Sequence, residues 1–160
     1  SFRNISLQRP WPDDLSEDIK CVYVSSAAPY NHQWHVVRAI KILRNQGLRI
    51  SLTLVGGGTG FSQKRLDKEI ELSDPMRIFV TQLSFVHIDA IPTVLSESDI
   101  FIFASSCENM PITLIEGMAS GLPIACSNRG PMPEVLAEGG TYFNPEDPSS
   151  IAKEVIITNY

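Results

Sequence analysis

"KCVYVSSAAPYNHQWHVVRAIKILRNQGLRISLTLVGGG", residues 20–58, decides the fold. Its opening "KCVYV" (20–24) is a β-branched run of strand length. "HQWHVVRAIKILRNQG" (32–47) then places apolar residues at 36, 37, 40 and 43, the spacing of one helical face. Gly47 stands just past that face, where a helix commonly ends on a left-handed residue. "RISLTLV" (49–55) is strand-like again, and three glycines close the stretch. Strand, helix and strand at these lengths make a crossover unit, which parallel neighbours require.

The alternation continues downstream. A polar helix is expected over 61–72, a strand at "MRIFVTQL" (76–83), a short helix at "DAIPTVLSES" (89–98) and a strand at "DIFIFAS" (99–105). Helix 111–120, strand "PIACS" (123–127), helix 132–138, strand "TYF" (141–143) and helix 148–157 complete the pattern. The fold class is α/β: a Rossmann-like, six-stranded parallel sheet with helices on both faces. Upstream, residues 1–19 are polar, proline-bearing and unperiodic, and read as a linker or domain edge with Trp11 packing back. The domain proper runs over 20–160. In such sheets ligands sit at the carboxyl ends of the strands, here 25–26, 56–60, 83–85, 105–109 and 127–131.

Charge narrows the function classes. The net charge is −5 and no basic run appears, which argues against a nucleic-acid partner. No stretch of 18 apolar residues predicts a membrane span. Cys21, Cys107 and Cys126 form no CxxC pair, as expected of reduced thiols in a cytoplasmic protein. No signal-like segment opens the chain at Ser1, and a helical pattern still runs near Tyr160, so a piece of a longer protein is expected.

Gly56 to Gly60 invite a nucleotide-binding reading, but neither specific motif fits. G-x-G-x-x-G counted from Gly56 ends on Phe61, and the second glycine and lysine of a P-loop are missing. What remains is close approach of something to the backbone, or a tight strand-to-helix turn.

"SSCENMPITLIEGMASGLPI" (105–124) carries more. Pro111 falls where a helix takes its first residue, so the N–H groups of Ile112, Thr113 and Leu114 are expected to face the preceding loop, a setting that attracts phosphate. Ile112, Ile115, Met118 and Ala119 are expected to face the core, with Thr113, Glu116 and Ser120 opposite. From the helical pattern alone, Glu116 faces either a cleft or solvent.

From Cys21 to Thr158 the chain resembles the C-terminal, nucleotide-sugar-binding half of group 1 retaining glycosyltransferases of GT-B architecture. Glu108 and Glu116, spaced E-x7-E inside that stretch, carry the resemblance, together with "SNRGPMPEVL" (127–136), "YFNPEDPSSIA" (142–152) and the glycine turn at 56–58. The resemblance implies that Glu116 accepts hydrogen bonds from the donor's ribose hydroxyls. It places Glu108, the candidate catalytic residue, beside the transferred sugar. Backbone N–H groups between them, those of Asn109, Met110, Ile112 and Thr113 around Pro111, would reach the sugar and diphosphate, with Gly57, Ser26 and Asn31 completing the donor site. A carboxylate accepts and never donates, so it suits a diol and repels a phosphate. The resemblance also implies a nucleoside diphosphate sugar as substrate, no cofactor or protein-held metal, and an acceptor site on an N-terminal domain outside this chain. Peripheral membrane attachment of the longer parent is left open. The donor's base is contacted by backbone near 83–85 in this family.

One departure is plain. The family usually has an arginine and a lysine, R-x4-K, where this chain has Ser26 and Asn31. Each missing charged contact is worth about 3–4 kcal/mol of leaving-group stabilisation. Arg129 is the candidate replacement, and a non-catalytic module is the competing reading. His32, His35 and His87 lack metal-ligand spacing, and His32 and His35 read as polar packing around Trp34. No histidine is placed by sequence to activate Cys107, and a glycosidase pair would need both carboxylates flanking one bond.

Overall fold

Strand β1 (Ile19–Val24) pairs in parallel with β2 (Ile50–Val55) on one side and with β4 (Ile100–Phe103) on the other. The computed structural model describes residues 18–158; Trp11 and the rest of the expected linker up to residue 17 lie outside the described residues. With β3 (Val80–Leu83), β5 (Ile124–Ser127) and β6 (Gly140–Phe143) the sheet is six-stranded and all parallel, ordered β3-β2-β1-β4-β5-β6. The Rossmann-like α/β expectation holds.

Helices α1 (Gln33–Asn45), α2 (Gly60–Ser73) and α6 (Pro148–Ile157) pack together on one face. The other carries α3 (Ile91–Ser96), α4 (Ile112–Ser120) and α5 (Met132–Leu136). Right-handed crossovers explain the division: the chain winds from β1 out to β3, returns to β4 and continues the opposite way. The reversal sets β1 beside β4, with Cys21 opposite Ile100 and Val22 opposite Phe101. Gly47 has φ +95, as a helix-ending glycine should. Cys21 and Cys126 are buried and Cys107 exposed, all as free thiols. Burial raises the Cys21 thiol and pushes Cys126 up to about 12, so neither ionises at neutral pH. Among the described residues, no helix is long and apolar enough to cross a membrane.

Two expectations need correction. The third strand begins at Val80, not at Met76, because buried Asp74 intervenes. Its carboxylate accepts the N–H groups of Ile78, Phe79 and Val80 at 2.8, 2.9 and 2.9 Å, curling the chain so that Met76 and Ile78 stay exposed. Burial by itself would raise this carboxyl; the three N–H donors and Arg44 outweigh it and hold its pKa below the ordinary value. Asp74 therefore contributes stability above the unfolded carboxyl's pKa, and loses it as pH falls through the lower folded value. Asp74→Ala should lower the unfolding free energy by about 3 kcal/mol in a urea titration at pH 7. Asp74→Asn should recover part of that and flatten the acid limb of the pH–stability curve.

The second correction concerns α4. Its core face is Leu114 and Gly117, with Met118 at the edge; Ile112 and Ile115 are 61% and 43% exposed, and Ala119 is exposed too. A Cβ on Gly117 would lie 2.5 Å from the Phe101 ring. The helix seats on β4 through a missing side chain, and that contact turns its isoleucines outward. The helix also starts one residue late. Pro111 is its N-cap, with ψ 74°, rather than its first residue.

Candidate functional site

The strand-end loops meet along one edge of the sheet. From the β1–α1 loop, Ala27 donates to the Gly57 carbonyl (3.3 Å), which ties that loop to the glycine turn after β2. The Tyr30 carbonyl accepts the Ser106 N–H at 2.8 Å, tying it to the β4–α4 loop that carries Glu108. Gly130 of the β5–α5 loop lies against the Glu108 carbonyl.

Gly56 answers the question raised by the glycine run. With φ +112, its position for a Cβ lies 2.2 Å from the Ser25 carbonyl oxygen, so what approaches the backbone is the chain's own first loop. Gly57 is half-buried, and a Cβ there would meet only the Gln82 and Ser84 side chains at 3.3–3.4 Å. Gln82 and Gln63 bridge each other and hold the turn through the Gly56 carbonyl and the Gly58 N–H.

Ser26 is exposed and Asn31 buried, and the two are bonded to each other. The Asn31 amide donates to the Ser26 carbonyl (3.0 Å) and hydroxyl (3.2 Å), while the Asn31 carbonyl accepts from buried Tyr23. A neutral, internally satisfied pair thus stands at these two positions. Arg129 is equally engaged: its guanidinium donates to Asn144 at 2.8 Å and pairs with Glu146 at 3.2 Å.

The mouth of α4 differs in one detail from expectation. The Ile112 N–H is donated to the Met110 carbonyl at 2.9 Å. Among the described residues, nothing accepts from the N–H groups of Asn109, Met110, Thr113 or Leu114. With the Glu108 N–H, five such donors remain open around the loop among the described residues. Glu108 is half-buried beside them; Asn109 and Met110 are exposed, and Thr113 half-buried.

Glu116 lies further along α4 and is exposed, on the wall of a groove between α3 and α4. This groove of about 470 Å³ is otherwise lined largely by Ile88, Ile91, Pro92, Leu95 and Ala119, with Ser120 beside Glu116. Ile88 follows the carboxyl end of β3, and from there the groove runs between the two helices to Leu95, Ser96 and Ser120 at their far ends. Neither Glu108 nor Glu116 has a hydrogen-bond or ion-pair partner among the described residues. The apolar wall escaped the sequence reading. Ile88, Ile91 and Pro92 match no motif, and only the order β3-α3-β4-α4 signals that the two helices become neighbours.

His32, His35 and Ser106 form a cluster that sequence separation also hid. The imidazoles stack with centroids 5.3 Å apart, and His32 Nε2 lies 2.8 Å from the Ser106 hydroxyl. Among the described residues there is no cluster of three or more metal-ligating side chains.

Comparison with known proteins gives the following. The family described as "Glycosyl transferases group 1" matches residues 9–157. The amylovoran biosynthesis glycosyltransferase AmsK of Erwinia amylovora is 27% identical over 131 residues, 78% of this chain and 31% of that protein. Anabaena Alr3699/HepE, solved in complex with UDP and glucose, superposes with a TM-score of 0.76 at 21% identity, over 96% of this chain and 44% of that one. The C-terminal domain of LpcC, a glycosyl transferase group 1 family protein from Francisella tularensis, superposes at 0.75 with 17% identity, over 88% of this chain and 75% of that domain. This chain therefore spans under half the length of AmsK and of HepE, but most of the isolated C-terminal domain.

Proposed function

The chain belongs to the group 1 glycosyl transferases, and from that premise we propose that it is the donor-binding half of a retaining enzyme moving a hexose from a nucleoside diphosphate sugar. The observation that carries this reading is Glu116, a carboxylate with no partner among the described residues, on the otherwise largely apolar wall of the groove between α3 and α4. Its oxygens accept from the ribose diol, and Ile88, Ile91 and Pro92 offer an apolar surface for the base. The open N–H groups of Asn109, Met110, Thr113 and Leu114 hold negative charge as the diphosphate departs. Fixed dipoles do this without reorganising at the moment of reaction. Glu108 stands beside the sugar. The acceptor belongs to an N-terminal domain of the longer protein, placed in the cytoplasm or on the membrane surface.

A second reading has its own observation. Ser26 and Asn31 satisfy each other, and Arg129 is held by Asn144 and Glu146, so the diphosphate lacks its usual cations. A module that binds nucleotide sugars without transferring them is consistent with that.

Calorimetry with uridine, guanosine and adenosine diphosphates tests the first reading. One of them should bind this chain, and silence from all three would end it. Asn31→Lys in the longer protein separates the two readings. A weakened enzyme should gain roughly 100-fold in transfer rate, matching about 3 kcal/mol for one restored contact. Absence of transfer in both forms, with binding intact, supports the module.

A further inference from the structure

The imidazole pair at the start of α1 touches two strand-end loops beyond its own. His32 Nε2 lies 2.8 Å from Ser106 Oγ in the β4–α4 loop, and His32 Nδ1 lies 3.2 Å from His35 Nδ1. His35 Nδ1 is also 3.1 Å from the Pro145 carbonyl in the β6–α6 loop.

One carbonyl fixes every proton in this chain. The Pro145 oxygen only accepts, so His35 Nδ1 carries a hydrogen. His32 Nδ1 facing it must then be bare. Neutral His32 keeps its proton on Nε2 and donates to Ser106, whose hydroxyl donates onward to the Tyr30 carbonyl at 3.3 Å. A second proton on His32 would set one N–H against another across 3.2 Å. Relief requires the His32 ring to swing away and release Ser106, or His35 to turn and release Pro145.

We propose that His32, held neutral by His35, is a positioning residue that clamps the β4–α4 loop and with it Glu108, two residues beyond Ser106. This rests on the reading of that loop as the donor site. The surroundings favour the neutral state: burial first, then the neighbouring imidazole, lower the affinity of His32 for a proton, and burial does the same for His35. The charged groups facing the pair oppose one another. Arg129 from the β5–α5 loop and Glu146 from the β6–α6 loop act on His32, while Arg65 and Glu69 of α2, with Glu146, act on His35. The clamp is therefore complete at neutral pH, and protonation relieved through the His32 ring releases it as pH falls below the ordinary histidine range.

Two readouts on the folded chain test this. In an amide NMR titration from pH 7.5 to pH 5, the Ser106, Cys107 and Glu108 signals should move with the midpoint of the His32 ring. In His32→Gln, whose terminal amide replaces Nε2 and does not titrate, that movement should vanish. Amides that ignore the His32 midpoint, or move equally in the variant, overturn the clamp; the unmodified chain decides the first point even if the variant fails to fold. UDP-glucose, whose diphosphate does not titrate in this range, should bind about tenfold more weakly at pH 5 than at pH 7.5, the equivalent of one hydrogen bond to a charged group. His32→Gln should flatten that profile. Flat binding in the unmodified chain while its amides move would overturn the positioning role. Failure of every nucleotide to bind at pH 7.5 would instead strike the donor-site reading, leaving the amides to decide the clamp.

Discussion

Glu116→Ala should leave the chain folded and reduce its affinity for a nucleoside diphosphate by roughly 30- to 150-fold, about 2–3 kcal/mol for hydrogen bonds accepted by a charged group. Folding should hardly notice. Residue 116 is exposed on a helix, no described group pairs with it, and alanine is the best helix former. Surface changes of this kind usually stay within about 0.5 kcal/mol. Glu116→Gln keeps an acceptor oxygen without the charge and should fall between the two. The ribose assignment makes a sharper demand. A 2′-deoxyribose analogue should bind the unmodified chain more weakly than the ribose form, yet bind Glu116→Ala no differently from it. Calorimetry on the four combinations gives the coupling directly. Equal affinities across all four would remove Glu116 from the site.

Gly56→Ala should be the most damaging single methyl in the chain, with an expected loss above about 4 kcal/mol. Two separate effects combine. At φ +112 an L residue is strained by about 1–3 kcal/mol. The new carbon would also stand 2.2 Å from the Ser25 carbonyl oxygen, a backbone atom immediately after β1 that cannot rotate out of the way. The same carbonyl accepts from the buried Gln33 amide at 3.1 Å, so moving it disturbs the start of α1 as well. Gly57→Ala is the control. Its φ is unstrained and its neighbours are side-chain atoms at 3.3–3.4 Å, so a loss of less than about 1 kcal/mol is expected. Thermal melts of both variants should separate by 10 °C or more. If they melt together, the crossing of the first two loops is not what requires glycine at 56.

These two residues show what the sequence made legible and what it withheld. The alternation of strand and helix was readable because each element carries its own period, and α1 and α6 fall almost where periodicity puts them. β3 was misjudged at its start because "MRIF" has strand composition, while a carboxylate two residues earlier takes the N–H groups that pairing would have used. The face of α4 was misjudged for a related reason. Hydrophobicity ranks Ile112 and Ile115 above Gly117, but the close seat on Phe101 needs the smallest residue, and no scale of apolarity records that. The E-x7-E pair was legible as a pattern; the apolar wall opposite Glu116 was not, since it comes from another helix. The contact between His32 and Ser106 spans 74 residues and exists only because β1 and β4 are neighbours.

That adjacency of β1 and β4 also governs when the site can exist during synthesis. A nascent chain that has emerged only as far as Ser98 can join β1, β2 and β3, yet β1 is then an outer strand with a bare row of N–H and C=O groups, open to pairing with a stray neighbour. Arrival of Ile100–Phe103 turns the same strand into an inner one and brings Ser106 against Tyr30 in one motion. The centre of the sheet and the first contact between its strand-end loops therefore form together, before β5 and β6 are added.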